Sequence, residues 1–237
     1  MDERADATVN ALSISATLPA YNEEPNLDGV VRELVAALAA ATPDFEVIIV
    51  DDGSEDGTPA LADRLAAQDP RVKAIHHPEN RGYGAALSSG FCAAARDWLF
   101  FMDADGQFDP RELEQFIPLA RTHDFIAGYR RTRQDPWHRR AYGKVFSALV
   151  RRLFGVRVRD VNCAFKLFKK NLIAPERLVS RGALINAEIL YQAKKRGVDP
   201  VELPVSHRPR KSGHATGGNP RVILTAALEL IRLRLKK

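Results

Sequence analysis

The sequence has few cysteines and no long apolar run. Cys92 and Cys163 are the two cysteines among 237 residues, too few for a disulfide framework, so we expect a reducing compartment. No run of about 18 apolar residues occurs, which argues against a membrane-spanning helix. Residues 1–10 have neither the basic nor the apolar segment of a signal peptide. We therefore predict a cytoplasmic protein that can still lie peripherally on the inner face of a membrane.

The motifs of several large nucleotide-binding classes are also missing. The pair Gly82-x-Gly84 lacks the third glycine of a dinucleotide-binding fingerprint, and no Walker lysine motif occurs. These absences disfavour a Rossmann dehydrogenase and a P-loop ATPase. The basic residues are not accompanied by a recognisable nucleic-acid-binding motif or a repeated aromatic platform, so nucleic acid is not an expected partner.

What the sequence does contain is a strong asymmetry of charge. Residues 1–129 carry 9 Lys+Arg and 23 Asp+Glu, whereas residues 130–237 carry 26 and 7. The length fits one domain, residues 1–237. The split therefore suggests an acidic half that holds metal and nucleoside, and a basic half that meets phosphate or anionic lipid. The alternative is that the two halves simply attract each other.

Apolar periodicity predicts alternating strands and helices in the acidic half. Strands are expected at residues 14–18, 45–50, 72–76 and 98–102, with helices at 27–41, 59–68 and 85–95. This order predicts right-handed βαβ units and an α/β fold with a mostly parallel central sheet flanked by helices. In the basic half we expect a loop at 129–140, helices at 142–154, 185–195 and 221–237, strands at 160–168 and 201–205, and a loop at 207–219.

Carboxylates follow two of the predicted strands directly. The apolar run Trp98–Met102 is followed by Asp103, Asp105 and Gln107, and the predicted strand at 45–50 is followed by Asp51 and Asp52. Ligands bind at the carboxyl ends of strands in open α/β sheets. Hard oxygen ligands suit Mg²⁺ or Mn²⁺, which in turn suit diphosphates. An isolated D-x-D is more often a polar turn, but several such strand ends meeting at one edge favour a binding crevice.

Four motifs resemble, in order, those of the family 2 glycosyltransferases with the GT-A fold. They are LPAYNE at 18–23, VDDGSEDGT at 50–58, NRGYG at 80–84 and DADGQ at 103–107. A looser similarity at 160–166 and 207–210 indicates the branch of polyprenyl-phosphate mannose and glucose synthases. The resemblance implies a Rossmann-like GT-A fold. It also implies an inverting, metal-dependent transfer of a hexose from a GDP-mannose or UDP-glucose type donor to a polyprenyl phosphate.

The same resemblance assigns roles to individual residues. It implies a metal site for Mg²⁺ or Mn²⁺ at Asp103, Asp105 and Gln107. In addition, Asp103 would bind the nucleotide donor and Asp105 would be catalytic. Arg130 matches the family's phosphate-binding arginine. The remaining assignments are a nucleoside pocket of Pro19, Tyr21, Glu23 and Asp51 or Asp52, Arg81 near the base or diphosphate, and Arg140 and Arg210 as partners of Arg130.

The acceptor decides which residues would be catalytic. A lipid phosphate, with a second pKa of ~6, is mostly ionised at neutral pH and needs arginines to position it. A hydroxyl acceptor needs a general base, for which Asp160 and Glu188 are candidates. The alternatives are that Asp160 only orients a loop and that the arginines are solvated surface residues. The Q-x-x-R-W motif of processive synthases is absent. The alternatives are a transferase acting on a soluble hydroxyl acceptor and a non-catalytic protein that binds anionic lipid or nucleic acid.

Overall fold

The computed structural model describes residues 12–131 and 137–209, and for residues 137–142 the backbone alone. These residues form a seven-stranded sheet in the order β3-β2-β1-β4-β6-β5-β7. β6 runs antiparallel to its neighbours β4 and β5, and the other pairs are parallel. The strands are β1 (Ser13–Ala20), β2 (Asp44–Asp51), β3 (Val72–His76), β4 (Trp98–Met102), β5 (Phe125–Arg130), β6 (Phe165–Lys169) and β7 (Val201–Val205).

Helices cover the sheet. In the first helix, Glu24–Ala41, a stripe of leucine and valine side chains at helical spacing is buried. A proline in its first turn fits the start of a helix. Short 3₁₀ helices, among them Pro110–Gln115, connect other elements. The α-helices are α1 (Glu24–Ala41), α2 (Thr58–Gln68), α3 (Tyr83–Ala93), α4 (Trp137–Phe154) and α5 (Ile185–Lys195). None of the helices within the described ranges has the length and apolar character needed to cross a membrane.

The centre of the core is β4, whose five residues are all buried. Phe100 and Phe101 point to opposite faces because side chains alternate along a strand. The Phe100 ring packs edge-on against Phe165 at 4.9 Å between centroids, and the Phe101 ring packs against Phe91 at 5.7 Å. The strand predicted at 98–102 is confirmed, and it is buried on both faces. Six of the seven strands share one direction, so their carboxyl ends meet at one edge of the sheet.

Several predicted boundaries were wrong in the basic half. The predicted loop at 129–140 missed β5, which ends at Arg130, and α4, which begins at Trp137. The predicted strand at 160–168 begins only at Phe165, because residues 160–164 form a turn. The predicted helix at 221–237 and most of the predicted loop at 207–219 lie outside the described residues.

The helix predicted at 59–68 begins one residue earlier. Thr58 is the first helical residue of α2, and Gly57 precedes it as the cap. The Thr58 hydroxyl instead accepts a hydrogen bond from the backbone N–H of Glu23, 2.9 Å away. The threonine therefore joins the loop after β2 to the loop after β1.

Candidate active site

The loops that follow β1 and β2 are tied together at the carboxyl edge of the sheet. The backbone N–H of Asn22 donates to Ser54 Oγ at 2.9 Å, and the backbone N–H of Glu55 donates to Asn22 Oδ1 at 2.8 Å. Asn22 has a φ of 55°, a left-handed conformation that asparagine tolerates better than most residues. These bonds fix the two loops against each other.

The carboxylates after β2 are occupied by neighbouring donors. Asp51 Oδ1 accepts from the backbone N–H of Ser54 at 3.0 Å, and its Oδ2 lies 3.0 Å from His76 Nδ1. Asp52 lies 2.7 Å from His77 Nδ1 and accepts from the backbone N–H groups of Arg81 and Gly82 at 2.9 and 2.8 Å, respectively. Both aspartates are buried. They hold the turns at 52–54 and 80–82 in place.

Sequence reasoning missed the role of the two histidines. His76 is the last residue of β3, as predicted, and each histidine contacts one of the β2 carboxylates, which was not predicted. His77 is buried, and its Nε2 lies 2.9 Å from Ser89 Oγ on α3. A sequence signal could have indicated these contacts. Two adjacent histidines occur at the end of the predicted strand at 72–76, and two aspartates follow the predicted strand at 45–50.

A cleft of about 470 Å³ opens beside these loops. Of the predicted nucleoside-pocket residues, Tyr21 and Asp51 line it. Tyr21 is one of four large hydrophobic residues that are exposed in the described part of the chain. Glu23 is buried and accepts a hydrogen bond from Asn26 Nδ2 at 2.8 Å. The cleft lining does not include Pro19, Glu23, Asp52 or Arg81; it is completed by Gly53, Ser54, Glu55, Pro59, His76, His77, Pro78, Glu79 and Asn80.

The carboxylates after β4 differ from those after β2. Asp103 Oδ1 is buried and has no hydrogen-bond partner among the described residues. Burial, reinforced by the nearby Asp105 carboxylate, raises the pKa of Asp103 to about 7. Asp105 is also buried, and its Oδ1 accepts from the backbone N–H of Gln107 at 3.0 Å. Burial, together with the neighbouring Asp103, raises the pKa of Tyr83 well above its usual value.

This pair of carboxylates fits a divalent cation. A shielded carboxylate oxygen without a partner, next to a second carboxylate, is a site that a hard cation would stabilise. The described residues contain no group of three or more His, Cys, Asp or Glu side chains arranged as a complete metal site. Mg²⁺ in particular is commonly bound by one or two carboxylates, with water and substrate phosphates as its other ligands.

Gln107, the third predicted metal ligand, makes different contacts. Its Nε2 donates to the backbone oxygen of Arg208 at 3.0 Å, and its own backbone oxygen accepts from the N–H of Arg208 at 2.7 Å. The amide nitrogen of its side chain therefore joins the loop after β4 to the segment after β7.

Arg130 and Asp160 form a bidentate ion pair. Arg130 Nε and Nη2 donate to the two carboxylate oxygens of Asp160 at 2.7 and 2.9 Å. Their side chains are only 10% and 11% exposed. The structure thus brings the predicted phosphate-binding arginine and the candidate base into direct contact. The side chain of Arg140 and the whole of Arg210 lie outside the described residues.

Glu188, the other candidate base, is bound by backbone amides. Its buried carboxylate accepts from the N–H groups of Val179 at 3.1 and 3.2 Å and of Ser180 at 2.9 Å. The loop that it holds packs against the start of α3. A Cβ on Gly84 would lie 2.1 Å from the backbone oxygen of Ser180. The glycine pair in NRGYG therefore permits close contact between the two halves of the chain.

A buried lysine was missed in the sequence. Lys166 is fully buried in β6, and its ammonium group donates to the backbone oxygens of Val161, at 3.1 Å, and Cys163, and to Asn186 Oδ1 at 2.8 Å. Burial lowers the pKa of Lys166 to about 8. These bonds shape the turn that follows Asp160. A lysine among apolar residues in a predicted strand is the signal that could have identified it.

Comparison with known proteins places this fold and this arrangement of loops in a family. The model described as "Glycosyl transferase family 2" matches residues 15–175. A polyprenol monophosphomannose synthase from Mycolicibacterium smegmatis is 32% identical over 214 residues, covering 83% of this chain and 77% of that protein. The chain therefore belongs to glycosyl transferase family 2.

Other relatives are longer than this chain. The glycosyltransferase AglD of Haloferax volcanii is 34% identical over 216 residues, which cover 87% of this chain and 35% of AglD. An undecaprenyl-phosphate 4-deoxy-4-formamido-L-arabinose transferase from Aeromonas hydrophila is 30% identical over 207 residues, covering 86% of this chain and 63% of the transferase. The chain thus spans about a third of one of these relatives and less than two thirds of the other.

Solved structures confirm the predicted fold. Glucosyl-3-phosphoglycerate synthase from Mycobacterium tuberculosis, in complex with UDP, aligns with a TM-score of 0.71 at 18% identity, covering 97% of this chain and 82% of that one. The same enzyme with Mn²⁺, UDP-glucose and phosphoglyceric acid also gives 0.71, at 18% identity, with coverage of 97% and 81%. The chain has the GT-A fold, with a mostly parallel central sheet flanked by helices.

Proposed function

We propose that this chain is an inverting glycosyltransferase that moves a hexose from a nucleoside-diphosphate sugar to a polyprenyl phosphate. The observation that carries the proposal is the pair Asp103 and Asp105 at the carboxyl edge of the sheet, where a buried carboxylate oxygen has no partner. Two relatives bear names that specify polyprenol and undecaprenyl phosphate, which supports the acceptor class. The donor sugar is of the GDP-mannose or UDP-glucose type.

The donor would lie along the edge of the acidic half. The cleft beside Tyr21 and Asp51 would take the nucleoside, and the hydrogen bonds that join its loops would help to keep it in shape. Asp103 and Asp105 would hold Mg²⁺ or Mn²⁺, supported by the Mn²⁺ present with UDP-glucose in the M. tuberculosis synthase. A bound cation would stabilise the negative charge that grows on the leaving diphosphate.

The acceptor would meet the basic half at Arg130. This arginine ends β5 at the same edge of the sheet as Asp103, and the two groups are close enough to interact electrostatically. A lipid phosphate would compete with Asp160 for its guanidinium group, which suits bidentate binding of phosphate oxygens. Because such a nucleophile is already ionised, the bond formed by its oxygen requires no proton transfer to a carboxylate.

The proposal includes a peripheral position on the cytoplasmic face of a membrane. Residues 136–159 contain seven Lys+Arg and no Asp or Glu. Within α4 the apolar side chains of Val145 and Leu149 are exposed, four residues apart, next to the exposed Lys144 and Arg152. Basic residues near an anionic bilayer each contribute about 1 kcal/mol, less at high salt. This face of α4 would hold the protein near a lipid acceptor.

One transfer assay tests the proposal. Radiolabelled nucleotide sugars are incubated with Mn²⁺ and either a short polyprenyl phosphate in vesicles or a soluble alcohol. We expect transfer to the lipid phosphate, faster in anionic than in neutral vesicles at low salt. Asp105→Asn should lower it by about 10²–10³-fold, since preorganised charge stabilisation is lost.

The control for that assay is Asp97→Asn. Asp97 precedes β4 at the opposite end of the same strand, where its carboxylate accepts a hydrogen bond from Ser13 Oγ at 3.0 Å. This variant should transfer sugar at nearly the wild-type rate. Transfer by the wild-type protein to the soluble alcohol alone would reject the lipid-phosphate acceptor, and equal rates for wild type and Asp105→Asn would reject the metal role.

A further inference from the structure

The segment after β7 crosses the edge of the sheet and binds the loop that carries the paired carboxylates. β7 is the last strand of the sheet, three positions away from β4. Its continuation, residues 206–208, nevertheless contacts the loop at 105–112 after β4. We call these contacts the clamp; its residues are Gln107, Asp109 and Glu112 on the loop and Ser206 and Arg208 on the segment.

The clamp holds Gln107 from two sides. The backbone N–H of Arg208 donates to the backbone oxygen of Gln107 at 2.7 Å, and Gln107 Nε2 donates back to the backbone oxygen of Arg208 at 3.0 Å. The backbone N–H of Gln107 meanwhile donates to Asp105 Oδ1 at 3.0 Å. The amide that orients the Asp105 carboxylate thus belongs to the residue that the clamp fixes.

Charged groups strengthen the clamp. Arg208 Nη2 donates to Asp109 Oδ2 at 2.5 Å, and its Nη1 lies 3.5 Å from Glu33 Oε2 on α1. Glu112 accepts from the backbone N–H and the hydroxyl of Ser206 at 2.8 and 2.7 Å. Two charged residues of the loop are therefore bound by one short segment that lies about a hundred residues further along the chain.

We propose that Arg208 is a positioning residue for the donor site: its ion pair with Asp109 anchors the segment whose backbone holds Gln107, and Gln107 in turn sets the orientation of Asp105. The inference rests on the proposed function, because it assigns to Arg208 an effect on the binding of a divalent cation and a nucleoside diphosphate. Arg208 would act through these residues and not as a ligand of the cation. Groups that orient metal ligands typically change metal affinity by about 10–100-fold when they are removed.

The chain provides a matched control in Arg111. This arginine donates to the same carboxylate, with Nη2 2.6 Å from Asp109 Oδ2 and Nε 2.9 Å from Oδ1. It lies two residues from Asp109 within the same loop, and its side chain is 75% exposed. Arg111→Gln therefore removes an ion pair from Asp109 without removing the clamp, whereas Arg208→Gln removes the pair that belongs to the clamp.

The test measures the binding of Mn²⁺ in the presence of UDP or GDP. Binding is detected as the loss of the electron paramagnetic resonance signal of the free ion. Arg208→Gln should weaken nucleotide-dependent Mn²⁺ binding by about 10–100-fold. Arg208→Lys, which keeps a cation for Asp109, should recover part of that loss, and Arg111→Gln should stay close to wild type. In transfer assays the KM for Mn²⁺ should rise in Arg208→Gln, while kcat at saturating Mn²⁺ changes little.

A second variant keeps the test independent of folding. Gln107→Ala removes one bond of the clamp, and its effect on Mn²⁺ affinity should not add to that of Arg208→Gln, because the two residues act as a unit. Equal Mn²⁺ affinities for wild type, Gln107→Ala and Arg208→Gln would overturn the inference and leave the proposed function intact. Failure of the wild-type protein to bind Mn²⁺ with either nucleotide would reject both.

Discussion

The carboxylates after β2 and those after β4 differ in how completely their oxygens are hydrogen-bonded. After β2, Asp51 and Asp52 are bound by backbone amides and histidines. On the β4 side, the buried atoms Asp103 Oδ1, Tyr83 Oη and Asn162 Oδ1 make no hydrogen bond of good geometry among the described residues, although Tyr83 lies close enough to Asp103 to interact with its carboxylate. Buried polar atoms cost free energy when they are unpaired, so native proteins usually satisfy them. The first region is complete on its own, and the second has the open sites that a ligand would fill.

After the loss expected for Asp105→Asn, the largest effect is expected at the bidentate ion pair between Arg130 and Asp160. Arg130→Ala should lower transfer to a lipid phosphate by about 10–100-fold, since a charge-assisted contact to phosphate contributes about 1.5–3 kcal/mol. Nucleotide binding should change little, because Arg130 lies outside the nucleoside cleft. Asp160→Asn should be much milder. The measurement is the initial rate of sugar transfer, together with nucleotide titration calorimetry.

The control for this comparison is Arg159→Ala. Arg159 neighbours Asp160 in the chain but stacks on the Tyr129 ring at 4.6 Å and is mostly exposed. Its removal should leave the rate near wild type. The order of the two effects could be reversed, with a transfer rate about 10²–10⁴-fold lower in Asp160→Asn and little changed in Arg130→Ala. That result would indicate a general base and therefore a hydroxyl acceptor.

The next effect is a difference in the free energy of unfolding between variants of the two pairs of carboxylates. Asp52→Asn should lower the free energy of unfolding by about 1.5–3 kcal/mol, because a buried charged acceptor of three hydrogen bonds is lost. Asp103→Asn should leave stability unchanged or raise it in metal-free buffer at pH 8, since it removes a buried charge whose Oδ1 is unpartnered. Urea unfolding of both variants measures the difference. Equal losses of stability would contradict the proposed distinction between the two sides.

Elements defined by local apolar runs were predictable from the sequence. β3, β4, α5 and β7 have the predicted boundaries because each is a short periodic run between polar residues. β5 was missed because it is short, contains a glycine and takes its partners from distant strands, β6 and β7. Local patterns carry no information about such pairing.

The sequence predicted where Asp103 and Asp105 lie, but it did not predict the partners of the candidate residues. The end of the predicted strand put Asp103 and Asp105 at the carboxyl edge of the sheet, and the resemblance assigned phosphate binding to Arg130. It gave no sign that Arg130 would pair with Asp160, thirty residues away, or that Gln107 would bind the backbone of Arg208. Two acidic pairs that look alike in the sequence also proved different, because the histidines that satisfy the β2 pair come from another strand.

The smallest expected effect is a dependence of folding stability on pH, which arises from His76 beside Asp51. The two ring nitrogens of His76 lie 3.0 Å from Asp51 Oδ2 and 3.0 Å from Asp63 Oδ1. The hydrogen bond to Asp51, followed by the contact with Asp63, raises the pKa of His76 above 6.5 against the opposing effect of burial. The folded protein therefore holds this proton more tightly than the unfolded chain does. The resulting stabilisation is complete below a pH of about 6.5 and is lost as the pH rises through the folded-state pKa.

His76→Asn should accordingly destabilise the protein more at pH 5.5 than at pH 9. The difference should be at most about 1 kcal/mol, because the His76 side chain is 34% exposed and solvent screens the pair. Urea unfolding across this pH range measures it, and added salt should reduce it. The control is His123→Asn, since that exposed ring lies 2.9 Å from the Thr122 hydroxyl rather than beside a carboxylate. A loss of stability in His76→Asn that stays constant or grows with pH would show that protonated His76 does not hold the carboxylates of the first region.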